Sequence, residues 1–200
     1  MDGYRLLLNN FGRHVPLSPA EEARVAAAFT PVQCRKREFL LQEGEVAAQT
    51  FFVVSGCLRL FLQSGAGATH VLQFAVEDWW ITDLRSFLRS EPSRLSIDAL
   101  EDTTVLQVTR EDLDELLAQL PKLEKAFRML SQSGMAALQQ RIVDSLSQSA
   151  AERYLSFRKL YGALEARLPQ YQIASYIGVT PEFLSALRRR LARGELQPKQ

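Results

Sequence analysis

The stretch from Pro169 to Leu191, PQYQIASYIGVTPEFLSALRRRL, constrains the fold more tightly than any other part of this chain. Ile173, Ala174 and Ile177 recur at helical spacing, with a small alanine where two helices must cross closely. Gly178 stands where the chain must reverse with positive φ, and Val179 can plug the gap between two helices. Thr180 is a good N-cap, and Pro181 falls at the first helical position, where a missing N–H costs nothing. Phe183, Leu184, Leu187 and Leu191 then supply one apolar face. The pattern predicts two short helices joined by a tight turn.

Charge singles out the same region. Residues 149–200 hold 9 Lys/Arg against 4 Asp/Glu, whereas residues 1–148 hold 15 against 19. A net charge of +1 therefore conceals a basic end on an acidic body, the distribution expected when only that end meets phosphate.

The front half has another character. From about residue 32 to 109 the period is that of strands: Phe39–Leu41, two strands within 51–62 broken at Ser55-Gly56, Thr69–Phe74, Leu95–Ala99 and Thr103–Val108. Many short strands with glycine turns favour an antiparallel roll over alternating strand–helix units. A short helix over residues 19–29 precedes it. At Thr109 the pattern becomes helical, and Pro121 opens a long helix running to about Gln148. Its apolar residues Leu123, Phe127, Leu130, Met135, Leu138, Ile142 and Leu146 form one broad stripe. That stripe fits packing on the roll, a seam between two subunits with Gly134 allowing close approach, or both at different heights. The seam is assigned to Leu123, Phe127, Leu130, Gly134, Leu138 and Ile142.

In the second short helix, the apolar face leaves Thr180, Pro181, Glu182, Ser185, Ala186, Arg188 and Arg189 to meet a groove or its walls. Glu182 can accept from a cytosine amino group, and Ser185 can touch a base edge or a phosphate. Arg188, Arg189 and Arg190 lie later and suit phosphates, as do Gln170 and Thr180 at the helix starts. The competing readings are helix-dipole stabilisation by Glu182 and a solvated basic face.

The order of a glycine-punctuated roll, a long helix and a C-terminal helix-turn-helix resembles the cyclic-AMP receptor protein/fumarate-nitrate regulator (Crp/Fnr) superfamily of bacterial transcription factors. The likeness runs through Glu77-Asp78-Trp79-Trp80, Ser96–Asp102, Pro169–Gly178 and Val179–Ser185, and is nearest to a subgroup common in Bacteroidetes. It implies an α+β chain: a cyclic-nucleotide-binding-like antiparallel β-roll (jelly roll) over 1–120, a long connecting and dimerisation helix over 121–148, and a C-terminal winged helix-turn-helix over 149–200. It further implies a homodimer reading a near-palindromic site in double-stranded DNA, with RNA polymerase as a further partner.

Two departures qualify the resemblance. Cyclic-nucleotide-binding members carry a Gly-Glu-Leu segment and an Arg-Ser/Thr-Ala segment whose arginine pairs with the cyclic phosphate. This chain has Thr82-Asp83-Leu84 and Ser93-Arg94-Leu95, so its arginine is one place out of step. Cyclic nucleotide binding is therefore not expected. An effector pocket, if there is one for a small molecule, is assigned to Trp79, Trp80, Asp83 and Arg94, with ordinary packing of the tryptophans as the alternative. Secondly, Ala186 stands where the family often has a guanine-reading arginine, while Glu182 matches the family's base-reading glutamate.

Other chemistry is thinly represented. Cys34 and Cys57 are isolated, His14 and His70 stand alone, and no serine–histidine–acid or paired-carboxylate arrangement is legible. Neither enzymatic activity nor a metal or cofactor is expected. No window is long and apolar enough to span a bilayer, and no signal-like start is evident, so a cytoplasmic location is expected without membrane attachment. The alternative function is an effector-sensing or dimerisation module whose second domain acts through protein contacts.

Overall fold

The computed structural model describes residues 3–65 and 67–194. They group into two units: one takes in the chain to Gln63 and from Leu72 to Gln132, the other Ser64–Val71 and the chain from Ser133.

The first unit is a roll of short antiparallel strands. Helices α1 (Gly3–Gly12) and α2 (Pro19–Ala28) precede β1 (Thr30–Cys34), β2 (Phe39–Leu41), β3 (Gln49–Ser55), β4 (Leu58–Gln63), β5 (Thr69–Ala75) and β6 (Trp80–Ile81). Helix α3 (Leu84–Arg89) is followed by β7 (Ser96–Ala99), β8 (Thr103–Thr109), α4 (Arg110–Gln119) and α5 (Lys122–Ser147). The strands form two four-stranded sheets, ordered β1-β8-β3-β6 and β2-β7-β4-β5. Phe52, Val53, Leu58, Ile97 and Val105 are fully buried in the core. Such a core is the reward for alternating apolar residues on strands that cover one another.

Between β3 and β4 the chain turns at Gly56 with φ +96°. A Cβ there would lie 2.7 Å from the Asp102 carbonyl and closer still to the Thr103 hydroxyl, so only glycine fits. Helix α2 begins on a capping box formed by Ser18 and Glu21. Lys122 Nζ then donates to the same Glu21 carboxylate at 2.6 Å, and that hydrogen bond is the main reason its pKa falls to about 2.

The second unit is helical apart from the first residues of β5. Helix α6 (Ala150–Tyr161) starts on a Ser149–Glu152 capping box and runs into a 3₁₀ turn at Gly162–Ala166. Helices α7 (Gln170–Ile177) and α8 (Pro181–Ala192) follow. Phe157, Tyr161 and Tyr176 stack edge-on and tilted, with ring centroids 5.4–5.6 Å apart, over a core of Leu164, Ile173, Ala174, Leu184 and Leu187. Within this unit Ser175 donates its hydroxyl proton to the Thr69 carbonyl and accepts from the Val71 amide, while Arg141 donates to the carbonyls of Val71 and Tyr176.

Roll, long helix and C-terminal helical region agree with the expected fold class. The expected wing would follow α8 (Pro181–Ala192), beyond the described residues. Residues 195–200 lie outside the described chain. The roll is more helical at its edges than the strand period suggested, since α1 and α3 were not expected. Helix α3 is fixed at both ends by side chains: Asp83 accepts from the Arg85 and Ser86 amides, and Arg110 Nη1 donates to the Phe87 carbonyl at 2.8 Å and to that of Leu88.

Candidate nucleic-acid interface

The turn between α7 and α8 is built by its backbone. Gly178 closes α7 in the left-handed region with φ +74°, and the Val179 N–H bonds back to the Ala174 carbonyl at 3.0 Å. Thr180 is extended, and its hydroxyl accepts from the Phe183 amide at 3.2 Å. Arg153 supports the turn from beneath. Its Nε donates to the Ile177 carbonyl at 2.9 Å and its Nη1 to the Gln148 carbonyl at 2.7 Å, satisfying the last turns of α7 and α5 together.

This geometry sets what α8 presents. Leu184 and Leu187 are buried, so at about 100° per residue Glu182, Ala186 and Arg189 fall on the opposite side. Thr180, Pro181, Glu182, Arg189 and Arg190 are exposed, as is Gln170 at the start of α7; Ser185 and Ala186 are half-exposed. The first turn and a half of α8 thus offers hydroxyls and a carboxylate on its outward side, and the last turn adds a basic end.

Two placements differ from the expectation. Phe183 is 52 % exposed, at the edge of the apolar face assigned to it and not within it. Arg188 is turned to the 3₁₀ segment, with Nη2 3.3 Å from Glu165 Oε1. Glu165 also pairs with Arg158 at 3.1 Å and accepts the Tyr154 hydroxyl. Burial above all, then Glu165, pushes the Tyr154 phenol up to about 12. Arg188 is therefore a brace between α8 and the 3₁₀ turn, not an outward member of the basic row. Nothing in the sequence singled out Glu165 or Arg153, because a lone charged residue in a helical stretch normally faces solvent.

Helix α5 divides along its length. Leu123 is fully buried in the roll core, and Phe127 and Leu130 pack on that core, with the Phe127 ring 5.2 Å from Phe11 and 5.6 Å from Trp80. Leu123 is closed to any partner, a correction to its place in the expected seam. From Ser131 to Gln140 every residue is exposed and none is charged. Met135, Leu138, Ile142, Val143 and Leu146 are 52–83 % exposed, and Gly134 has open space around it.

The residues assigned to an effector pocket are engaged elsewhere. Trp80 packs among Phe11, Phe29, Phe52 and Phe127 with centroids 5.1–5.9 Å apart, and its indole N–H donates to Asn10 Oδ1 at 3.2 Å. Trp79 is half-buried against the same core. Asp83 is a helix cap whose second oxygen accepts the Ser93 hydroxyl at 2.6 Å, while Arg94 is exposed.

Comparison with known proteins follows the same outline. Residues 31–120 match the cyclic nucleotide-binding domain family. The chain is 28 % identical over 173 residues to the transcriptional activator protein Anr of Pseudomonas aeruginosa, an alignment covering 81 % of this chain and 70 % of that protein. A Crp/Fnr-family protein from Eubacterium rectale superimposes with a TM-score of 0.68 at 16 % identity, covering 92 % of this chain and 88 % of that one. FixK2 from Bradyrhizobium japonicum superimposes with a TM-score of 0.71 at 19 % identity, covering 86 % of this chain and 89 % of that one. The c-di-GMP-responsive regulator CLP of Xanthomonas campestris gives 0.72 at 14 %, covering 92 % and 96 %. None of these matches points to the subgroup common in Bacteroidetes.

The domain match makes a cyclic nucleotide the obvious group to test at the roll. The residues here do not fit one. The acid that would hold the ribose is occupied capping α3 and receiving Ser93, and the neighbouring arginine is exposed rather than set in the core. A cyclic phosphate taken out of water without a paired cation is strongly disfavoured. Among the described residues no cluster of His, Cys, Asp and Glu could hold a metal ion, and no helix is long and apolar enough to cross a membrane.

Proposed function

We propose that this protein is a homodimeric transcription regulator that reads a near-palindromic duplex site through α8 and does so without a cyclic nucleotide. The observation that carries the reading is the outward face of α8. A capped helix start presents Thr180, Pro181, Glu182 and Ser185, with Arg189 and Arg190 following, on a unit whose sequence is basic. Glu182 is the base-reading acid, and Gln170, Thr180, Arg189 and Arg190 position the helix on phosphates. The exposed part of α5, uncharged from Ser131 to Gln140, supplies the seam between two copies, through Gly134, Leu138 and Ile142. Two copies then offer two reading helices, which calls for two half-sites.

Selection of bound sequences from a random duplex library, using the purified chain at moderate salt with no added ligand, tests this directly. An enriched inverted repeat is the expected result. Enrichment of single, unpaired half-sites would refute the dimeric arrangement, and absence of DNA binding even at low salt would refute the regulator reading.

A further inference from the structure

Phe183 is the residue on α8 whose placement the fold does not explain. It is 52 % exposed, while the inner face of the helix is already filled by Leu184 and Leu187. Its position is firmly set, because its own amide is the one that Thr180 caps and Pro181 fixes the backbone two residues before it. A phenyl ring displayed from a rigid first turn lies where a reading helix enters a major groove.

With Leu187 at i+4 buried on the inner face, helical geometry leaves the ring one companion on its outer side. Ala186, at i+3, lies on the same flank, and Arg190, at i+7, continues that row toward the end of the helix. Beside the carboxylate of Glu182 there is thus a small apolar ridge of a ring and a methyl group, bounded further along by arginine. A ridge of this kind has a single apolar counterpart among the base edges of the major groove, the C5 methyl group of thymine. Guanine or cytosine set against it would have polar edge groups stripped of water with no partner in return. Ring stacking on a base needs an unstacked strand, which a duplex does not provide.

We infer that Phe183 and Ala186 act as a paired specificity determinant that recognises the thymine methyl at one position in each half-site, next to the base pair read by Glu182. The inference rests on the DNA-reading function proposed above and adds the chemical identity of one base.

The test uses the full chain and the duplex obtained by the selection experiment, remade with deoxyuridine in place of each thymine in turn. That exchange removes one methyl group and leaves the base pairing unchanged. At one thymine per half-site, uracil is expected to weaken binding about fourfold, the worth of one methyl-sized apolar contact. Phe183→Ala is expected to bind the thymine and uracil duplexes equally at that position. Tight, sequence-specific binding by the unaltered protein with no uracil penalty at any position would overturn the inference while leaving the regulator reading intact. So would a full uracil penalty that persists in Phe183→Ala. Failure of the unaltered protein to select any sequence overturns the DNA reading, and this inference with it.

Discussion

Leu138 and Leu123 lie on one helix, fifteen residues apart, and truncating each to alanine should have opposite consequences. Leu138 is 54 % exposed, so about half of its apolar surface is open to a second copy. Full burial of a leucine is worth about 1.5–3 kcal/mol, which puts the share at the seam near 1 kcal/mol for each side chain. Symmetry doubles the change, so Leu138→Ala removes about 2 kcal/mol from the dimer, or about thirtyfold in its dissociation constant. Leu123 is fully buried in the roll, and Leu123→Ala leaves a cavity there at about 2–5 kcal/mol of folding stability. Sedimentation velocity across a concentration series reads the first effect and thermal unfolding the second. The expected pattern is a weakened dimer of ordinary melting temperature for Leu138→Ala, and a low-melting protein for Leu123→Ala. An unchanged association constant in Leu138→Ala would refute the division of α5 into a roll-packing half and a seam.

Three further outcomes follow from the geometry. Arg189→Ala should weaken DNA binding and reduce the slope of log affinity against log salt by about one, whereas Arg188→Ala should leave the slope unchanged because Glu165 holds that guanidinium; equal slopes for the two variants would contradict the pairing. Gly56→Ala should lower the melting temperature of the roll sharply, since positive φ alone costs about 1–3 kcal/mol and the new Cβ also meets the backbone of Asp102 and Thr103. Gly178→Ala, with the same sign of φ but open space around it, should show the strain without the clash, and a loss as large as that at Gly56 would count against this account. Glu21, held down to about 2, stabilises the fold above the ordinary glutamate pKa and ceases to do so as the pH falls through about 2. Lys122→Met should move its titration, followed by NMR, up toward the ordinary value, and an unmoved titration would show that Lys122 is not the cause.

Elements that carry their own local signal were legible in the sequence. The glycine at 178, the Thr-Pro pair at 180–181 and the break at Ser55-Gly56 each demand a particular backbone, and each is found as read. Helix α5, expected from Pro121 to about Gln148, spans Lys122–Ser147. Harder to read was anything decided by a distant partner. Helix α3 has only 6 residues and depends on Asp83 at one end and Arg110 at the other. Trp80 reads equally as pocket lining or packing until Phe11, Phe29, Phe52 and Phe127 close around it. Phe183 was assigned inward because apolar residues usually are, yet two leucines already fill that face. The orientation of Arg188 was invisible because its partner, Glu165, lies on another element.

The closure of rings around Trp80 gives the chain an unusual optical layout. Both of its tryptophans, Trp79 and Trp80, belong to the first unit, as do both cysteines, while Tyr154, Tyr161, Tyr171 and Tyr176 make up four of its five tyrosines and belong to the second. Tryptophan emission, with the labelling rates of the buried Cys34 and Cys57 thiols, therefore follows the roll and the start of α5 alone. Tyrosine absorbance follows chiefly the helix-turn-helix unit. One unlabelled sample, melted once, separates the two halves by colour and shows whether they come apart together or in sequence.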